Sequence, residues 1–397
     1  MTEQQRHQFA ASLMANMREN ILPYWLDRMT DPEGGFYGRR DGNDRLDCEA
    51  PRGAILNARI LWTFSAAYSA TADERYLKAA MHAYAYVITQ FIDREHGGVF
   101  WSVDRDGTPC DTKKQYYAIA FTIYGLAEYY HATGDRKALA EAMALFDCIE
   151  AHSRDRARGG YIEASTRDWH PIDDMRLSEK DANSSKTMNT HLHIIEGYTA
   201  LLRVTGDERV AEATRSLLRV FLDRIIVKDT GHMGLFFDDD WHLLDRAVSY
   251  GHDIEASWLL LETARVLGDD DLTVETLAAT RRMAIAALDG MWSDGSMVYE
   301  LHADGRLDAE RHWWVQAESI VGQIYLALFH GMPEYDGRAR ATWQYVLDNL
   351  VDHEGGEWFW SRRADGSVNR TDDKAGFWKC PYHNTRACLE AARLLKV

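Results

Sequence analysis

The chain has 397 residues, 46% of them hydrophobic, and carries 62 Asp and Glu against 45 Lys and Arg, a formal charge of -17. That length and apolar content allow a substantial core, whereas the acidity repels phosphate backbones and anionic lipid, with no Lys/Arg cluster to offset it, so neither nucleic acid nor a membrane is expected as a partner. No apolar run of about 18 residues, no basic n-region and no CxxC pair among Cys48, Cys110, Cys148, Cys380 and Cys388 occurs, which leads to the expectation of a cytoplasmic protein with reduced thiols.

The N-terminal segment EQQRHQFAASLMANMRENILPYW reads as an amphipathic helix. From Gly34 comes GGFYGRRDGND, and close copies return as GGVFWSVDRDGTP from Gly97, GGYIEASTRDW from Gly159, MGLFFDDDW from Met233, DGSMVYELHADGR from Asp294 and GGEWFWSRRADGS from Gly355. Glycine, alternating aromatic and small residues, then a DG-type turn are the chemistry of a short hairpin. The marker glycines Gly35, Gly98, Gly160, Gly234, Gly295 and Gly356 are separated by 63, 62, 74, 61 and 61 residues, a period that signals one supersecondary unit copied around an array.

Helices fill the rest of each unit. The stretch KKQYYAIAFTIYGLAEYYHATGD is apolar nearly all round and RKALAEAMALFDCIEAHSRD has a single apolar stripe, so the pair reads as an inner helix followed by an outer one. Their junction recurs as ATADERYL, ATGDRKAL, VTGDERVA and VLGDDDLT, where Gly (Ala in the first copy) ends one helix and Asp caps the next. The last copy stops after its inner helix, and the N-terminal helix fills the vacancy. The prediction is all-α: a single (α/α)6-barrel domain over residues 1–397, with short β-hairpins in the loops at the active-site end. An open solenoid, which needs polar terminal caps, is the alternative.

Polar and aromatic residues interrupt the inner helices in a shared phase: Arg59, Tyr117, Asn189, His193, His252, Glu255, Trp314, Glu318 and His383. All lie in early turns, so closing the ring brings them together in a pocket at the hairpin end. A single His in an apolar helix is more often a satisfied core residue than a catalyst, but here three converge from three repeats. His252 and Glu255, at i and i+3, are expected to share a face, with the carboxylate orienting the imidazole. Asn189 and His193 share another, which turns His191 elsewhere. Trp313, Trp314 and Trp378 fit a core equally well or a sugar-stacking mouth, and Trp101 fits hairpin packing. Arg59, charged within an apolar helix, requires an anionic or carbonyl-like partner.

Imidazoles move protons near neutral pH. If a reducing sugar opens to its aldehyde, the C2 hydrogen becomes acidic, and two histidines on opposite faces of C2 remove and replace it while Arg59 steadies the enediolate oxygen. The outcome is C2 epimerisation without a redox cofactor.

The stretches AILNARILWTFSAAY, NTHLHIIEGYTALL, GHDIEASWLL, WWVQAE and GFWKCPYHNTRA, in order from Ala54 to Ala387, resemble the N-acylglucosamine 2-epimerase family. The resemblance implies the (α/α)6 barrel and reversible conversion of the reducing glucose of a β-1,4-linked disaccharide to mannose. It implies His252 and His383 as the acid/base pair, His193 in ring opening and closure, Glu255 supporting His252, and Arg59 at the oxygens near C1 and C2. Tyr117, Asn189, Trp314 and Trp378 would bind substrate, joined by Asp181 on the long segment RDWHPIDDMRLSEKDANSSKT, whose surplus length suits a lid or subsite wall. Glu318 is placed with the substrate-binding group. No metal and no cofactor is expected, the partner is a small oligosaccharide, and the assembly is a monomer or weak homodimer.

Mannose/glucose or N-acylglucosamine 2-epimerisation is the near alternative. A glycoside hydrolase on the same barrel would need paired carboxylates across a scissile bond. A metal-dependent isomerase would use three His and Glu255 as ligands, and a sugar-binding module would use the tryptophans alone.

Overall fold

A computed structural model describes residues 1–396 and bears out the alternation of inner and outer helices. Helix α1 (Glu3–Asn16) continues through wider π-type turns to Met29. Five pairs follow: α2 (Ala54–Thr71) with α3 (Glu74–Tyr86), α4 (Tyr116–Thr133) with α5 (Arg136–His152), α6 (Met188–Thr205) with α7 (Glu208–Val220), α8 (Tyr250–Leu267) with α9 (Asp270–Ala287), and α10 (Trp313–Phe329) with α11 (Tyr335–Asn349). Helix α12 (Tyr382–Leu394) ends the series. The even-numbered helices are buried on almost every face, the odd-numbered ones along one stripe, as the distribution of apolar residues dictates.

The ring closes. Each inner helix packs on the next, and α12 returns to α2. Helix α1 takes the sixth outer place: it packs on α12, while Arg6 Nε reaches Asp336 on α11 at 2.7 Å and Trp343 Nε1 donates to Ser12 Oγ at 3.0 Å. The open solenoid is therefore excluded. No helix of the described residues is long and apolar enough to cross a membrane.

Junctions behave as the sequence demands. Ala72, Gly134, Gly206 and Gly268 each end an inner helix in the left-handed conformation, and Asp73, Asp135, Asp207 and Asp269 cap the outer helices through their side chains. The tenth residue of α4, α6 and α10 is glycine for a different reason. A Cβ on Gly125 would sit 2.6 Å from the Ala58 carbonyl oxygen, and one on Gly197 would sit 2.7 Å from that of Ala120, so these glycines set how closely neighbouring inner helices approach.

The hairpins differ from expectation in one respect. They are not self-contained, because the strand leading into each inner helix pairs with the hairpin of the following repeat: Arg52–Gly53 with Ser102–Val103, Lys114–Gln115 with Ala164–Ser165, Lys186–Thr187 with Phe236–Phe237, Val248–Ser249 with Glu300–Leu301, and Arg311–His312 with Ser361–Arg362. Arg40 bridges Ala375 to complete the circuit, its N–H donating to the Ala375 carbonyl at 2.7 Å. These strands are too short to stand alone in water. Lacing each unit to the next gives them partners and fixes the mouth of the barrel.

Candidate active site

Because inner helices start in register at the laced end, equivalent positions form tiers. At their second or third residue stand Tyr117, Asn189, His252, Trp314 and His383. At the fifth or sixth lie Arg59, Phe121, His193, Glu255, Glu318 and Arg386, and at the ninth Trp62, Tyr124, Glu196 and Trp258. Spacings of three or four residues keep each series on one helix face.

The middle tier is organised by a guanidinium. Arg386 is 1% exposed, its Nη2 lies 2.5 Å from Glu255 Oε1 and 2.6 Å from Glu318 Oε1, and its Nη1 donates to Glu196 and to the Tyr382 hydroxyl. Burial and the neighbouring Glu318 push the Glu255 carboxyl well above the usual carboxylate range. Burial also works to raise Glu196, but Arg386 and the donors His193 and Tyr382 hold it below its ordinary value. The surroundings thus push the two acids in opposite directions, Glu255 toward its neutral form and Glu196 toward its ionised one.

From this base rise the imidazoles. His193 Nδ1 lies 2.8 Å from Glu196 Oε2 and His383 Nδ1 lies 2.7 Å from Glu318 Oε1. An ionised carboxylate oxygen accepts, which assigns each ring its proton on Nδ1 and leaves Nε2 bare. His252 Nδ1 instead lies 2.7 Å from the Ser249 hydroxyl. Burial drives all three pKa values down, to about 4 for His193 and about 3 for His252, and well below normal for His383, with repulsion from Arg59 adding to the effect. Burial thus favours the neutral form of each ring in the free enzyme.

Two sequence expectations need correcting. Glu255 does not orient His252: it lies one turn deeper, where Arg386 takes its Oε1, and its nearest imidazole is His383 at 3.9 Å. Glu318, expected among the sugar ligands, holds His383 and also accepts from Trp258 Nε1 at 3.1 Å.

Arg59 lies as foreseen within the lumen tier, but no carboxylate meets it. Its Nη2 donates to the Tyr117 hydroxyl at 2.8 Å, its guanidinium sits over Phe121 at 4.1 Å and Tyr382 at 5.1 Å, and its buried Nε has no protein partner. The buried Oδ1 of Asn189 is likewise unpaired. An uncompensated guanidinium in an aromatic cage is a site prepared for negative charge.

Trp314 lies between the histidines of the mouth, 4.7 Å from His252 and 5.7 Å from His383 by ring centroids. It reaches them because Gly251 offers no side chain; a Cβ there would come within 2.6 Å of the indole. Trp378 is partly exposed beside Tyr117 and Trp101, while Trp101 and Trp313 are buried. His191 is structural: its Nε2 accepts from the Tyr161 N–H and its Nδ1 donates to the Thr187 carbonyl. Asp181 stays within the long segment, accepting from Ser178 N–H and Oγ. That segment is held at the mouth by Gln115, whose Nε2 donates to the carbonyls of Met175 and Arg176.

Sequence reasoning missed Arg386, Tyr382, Glu196 and Ser249. Arg386, Glu196 and Ser249 each lie three positions from a chosen His, a spacing that could have revealed them, while Tyr382 directly precedes His383. Glu255, Glu318 and His383 place ligand-type atoms within 4.8 Å of one another, but the Arg386 guanidinium already faces both carboxylates, so a cation there would confront a fixed positive charge.

The chain is similar to known proteins along nearly its whole length. Residues 35–387 match the family described as N-acylglucosamine 2-epimerase (GlcNAc 2-epimerase). The chain is 53% identical to the cellobiose 2-epimerase of Bacteroides fragilis over 95% of its own length and 97% of the relative's. It is 38% identical to that of Ruminococcus albus, covering 96% and 97%. The solved cellobiose 2-epimerase of Spirochaeta thermophila superposes with a TM-score of 0.93 at 42% identity, covering 99% of this chain and 98% of that one.

Proposed function

The chain belongs to the N-acylglucosamine 2-epimerase family, and from that premise we propose that it reversibly epimerises C2 of the reducing-end glucose of cellobiose, giving glucosyl-mannose. The enzyme works as a single domain in the cytoplasm, as a monomer or weak homodimer. The observation that carries this reading is the pairing of two imidazoles, held by their Nδ1 atoms around a shared tryptophan, with a buried arginine that has no carboxylate.

In the open-chain aldehyde, the bare Nε2 of one member of the pair His252 and His383 takes the C2 proton. The C–H electron pair becomes the C1=C2 bond, and the carbonyl pair moves to O1, where Arg59 and the Tyr117 hydroxyl steady the negative charge. The other imidazole, whose Nε2 must carry a proton in this step although burial disfavours its charge in the free enzyme, delivers that proton to the opposite face of C2 as the carbonyl re-forms. One proton leaves and one returns, so the sugar is unchanged except at C2 and the two rings exchange protonation states. His193, anchored on Glu196, acts on the hydroxyl protons during ring opening and closure. Trp314 and Trp378 offer flat apolar faces to the sugar rings, with Asn189 and Asp181 as hydroxyl partners.

Incubation with cellobiose followed by product separation tests the reading. Glucosyl-mannose is expected; free glucose alone would mark a hydrolase.

A further inference from the structure

Three histidines line the proposed site, and only one is held by a neutral group. His193 and His383 rest on Glu196 and Glu318, whereas the partner of His252 Nδ1 is Ser249 Oγ at 2.7 Å. Ser249 is 2% exposed and occupies the N-cap position of α8. A serine there ordinarily accepts a backbone N–H of the first helical turn, as Thr187 does for Thr190 at the start of α6. Ser249 makes no such bond. Its hydroxyl turns instead to the imidazole three residues on, and no other side-chain partner for it is found among the described residues.

The difference is chemical as well as geometric. A carboxylate oxygen only accepts, so it fixes the Nδ1–H tautomer and leaves Nε2 bare. A hydroxyl accepts from Nδ1–H or, with its O–H turned, donates to bare Nδ1.

Resting on the epimerase reading above, we propose that Ser249 is the positioning residue of His252, a hydroxyl that keeps Nδ1 paired in either tautomer, so that this imidazole alone, while neutral, meets the sugar with Nε2 either protonated or bare. With Nε2–H, neutral His252 donates a hydrogen bond to a sugar hydroxyl as substrate settles. With bare Nε2, it takes the C2 proton. Conversion moves one proton from Nε2 to Nδ1 by way of sugar hydroxyls or water, and Ser249 follows by turning its O–H. That interconversion by itself adds no net charge to the pocket.

The experiment combines selectively 15N-histidine-labelled protein, with His252 assigned through His252→Asn, and kinetics of Ser249→Ala and Ser249→Thr on cellobiose. In the unsubstituted enzyme the His252 nitrogens should show shifts averaged between the two tautomers, and His193 and His383 those of Nδ1–H alone. Ser249→Ala should displace the His252 average and lower kcat about tenfold with KM within about twofold. Its melting temperature should hold, because no helix cap is lost, and Ser249→Thr should recover most of kcat. The inference is overturned if His252 shows the same single tautomer as the other two, if Ser249→Ala keeps full kcat, or if Ser249→Thr is as impaired as Ser249→Ala. Failure of the unsubstituted enzyme to epimerise cellobiose would sink the functional reading instead, and the nitrogen shifts would still decide the role of Ser249.

Discussion

Glu318 on α10 accepts from His383 on α12 at 2.7 Å, with the same oxygen 2.6 Å from Arg386 Nη2. The base and the cation that holds its anchor thus share one carboxylate across a helix boundary. Glu318→Gln replaces the carboxyl group that pairs with His383 by an amide of nearly the same shape. It should lower kcat/KM for epimerisation about 10–100-fold, with substrate affinity less affected, as measured by initial rates and by titration with a non-reacting sugar.

Arg59 is assigned to charge that exists only once C2 has lost its proton. Arg59→Gln should therefore cut kcat by roughly 100-fold or more and change KM little. An equal loss in KM with kcat preserved would place Arg59 in ground-state binding instead.

Acid sensitivity follows from the buried imidazoles. His191 and His193 are held to about 4, both chiefly by burial, whereas an unfolded histidine titrates near 6.5. Between these values the unfolded chain binds more protons, so stability rises with pH through the window. Their contribution is complete above about pH 6.5 and is lost as pH falls toward 4. Denaturant midpoints at pH 7.5, 6 and 5 should decline in that order.

A buried acid gives the opposite sign. Glu163 accepts from the hydroxyls of Thr187 and Thr190, both at 2.7 Å, and burial raises its pKa to about 7. The folded state retains this proton where the unfolded one has lost it, so the group's contribution is present at low pH and disappears between about 4.5 and 7. Glu163→Gln should raise the melting temperature at pH 8 relative to the parent and change it little at pH 5.

Much of this was legible beforehand because it repeats. The marker glycines gave the phase, the apolar all-round stretches gave the inner helices, and the Gly-Asp junctions gave the caps. The lacing of each strand to the next repeat was not legible, since two-residue strands carry no periodic signal of their own. Within the site, the lumen residues followed from helical phase, but their pairing did not. Glu255 shares a helix face with His252, yet side chains on a helix lean toward its N-terminus and neighbouring helices bring closer partners. Arg386 arrives from α12 to take Glu255, and Ser249 takes His252. Helical phase along one helix carries no information about a partner supplied by another helix or by the capping position.

In the proposed reaction His252 and His383 exchange the C2 hydrogen. Cellobiose in deuterated water with the unsubstituted enzyme should acquire deuterium at C2 of the reducing sugar, followed by NMR. His252→Ala and His383→Ala should each abolish that incorporation while retaining measurable sugar binding. Incorporation at the full rate in either variant would contradict the assigned pair.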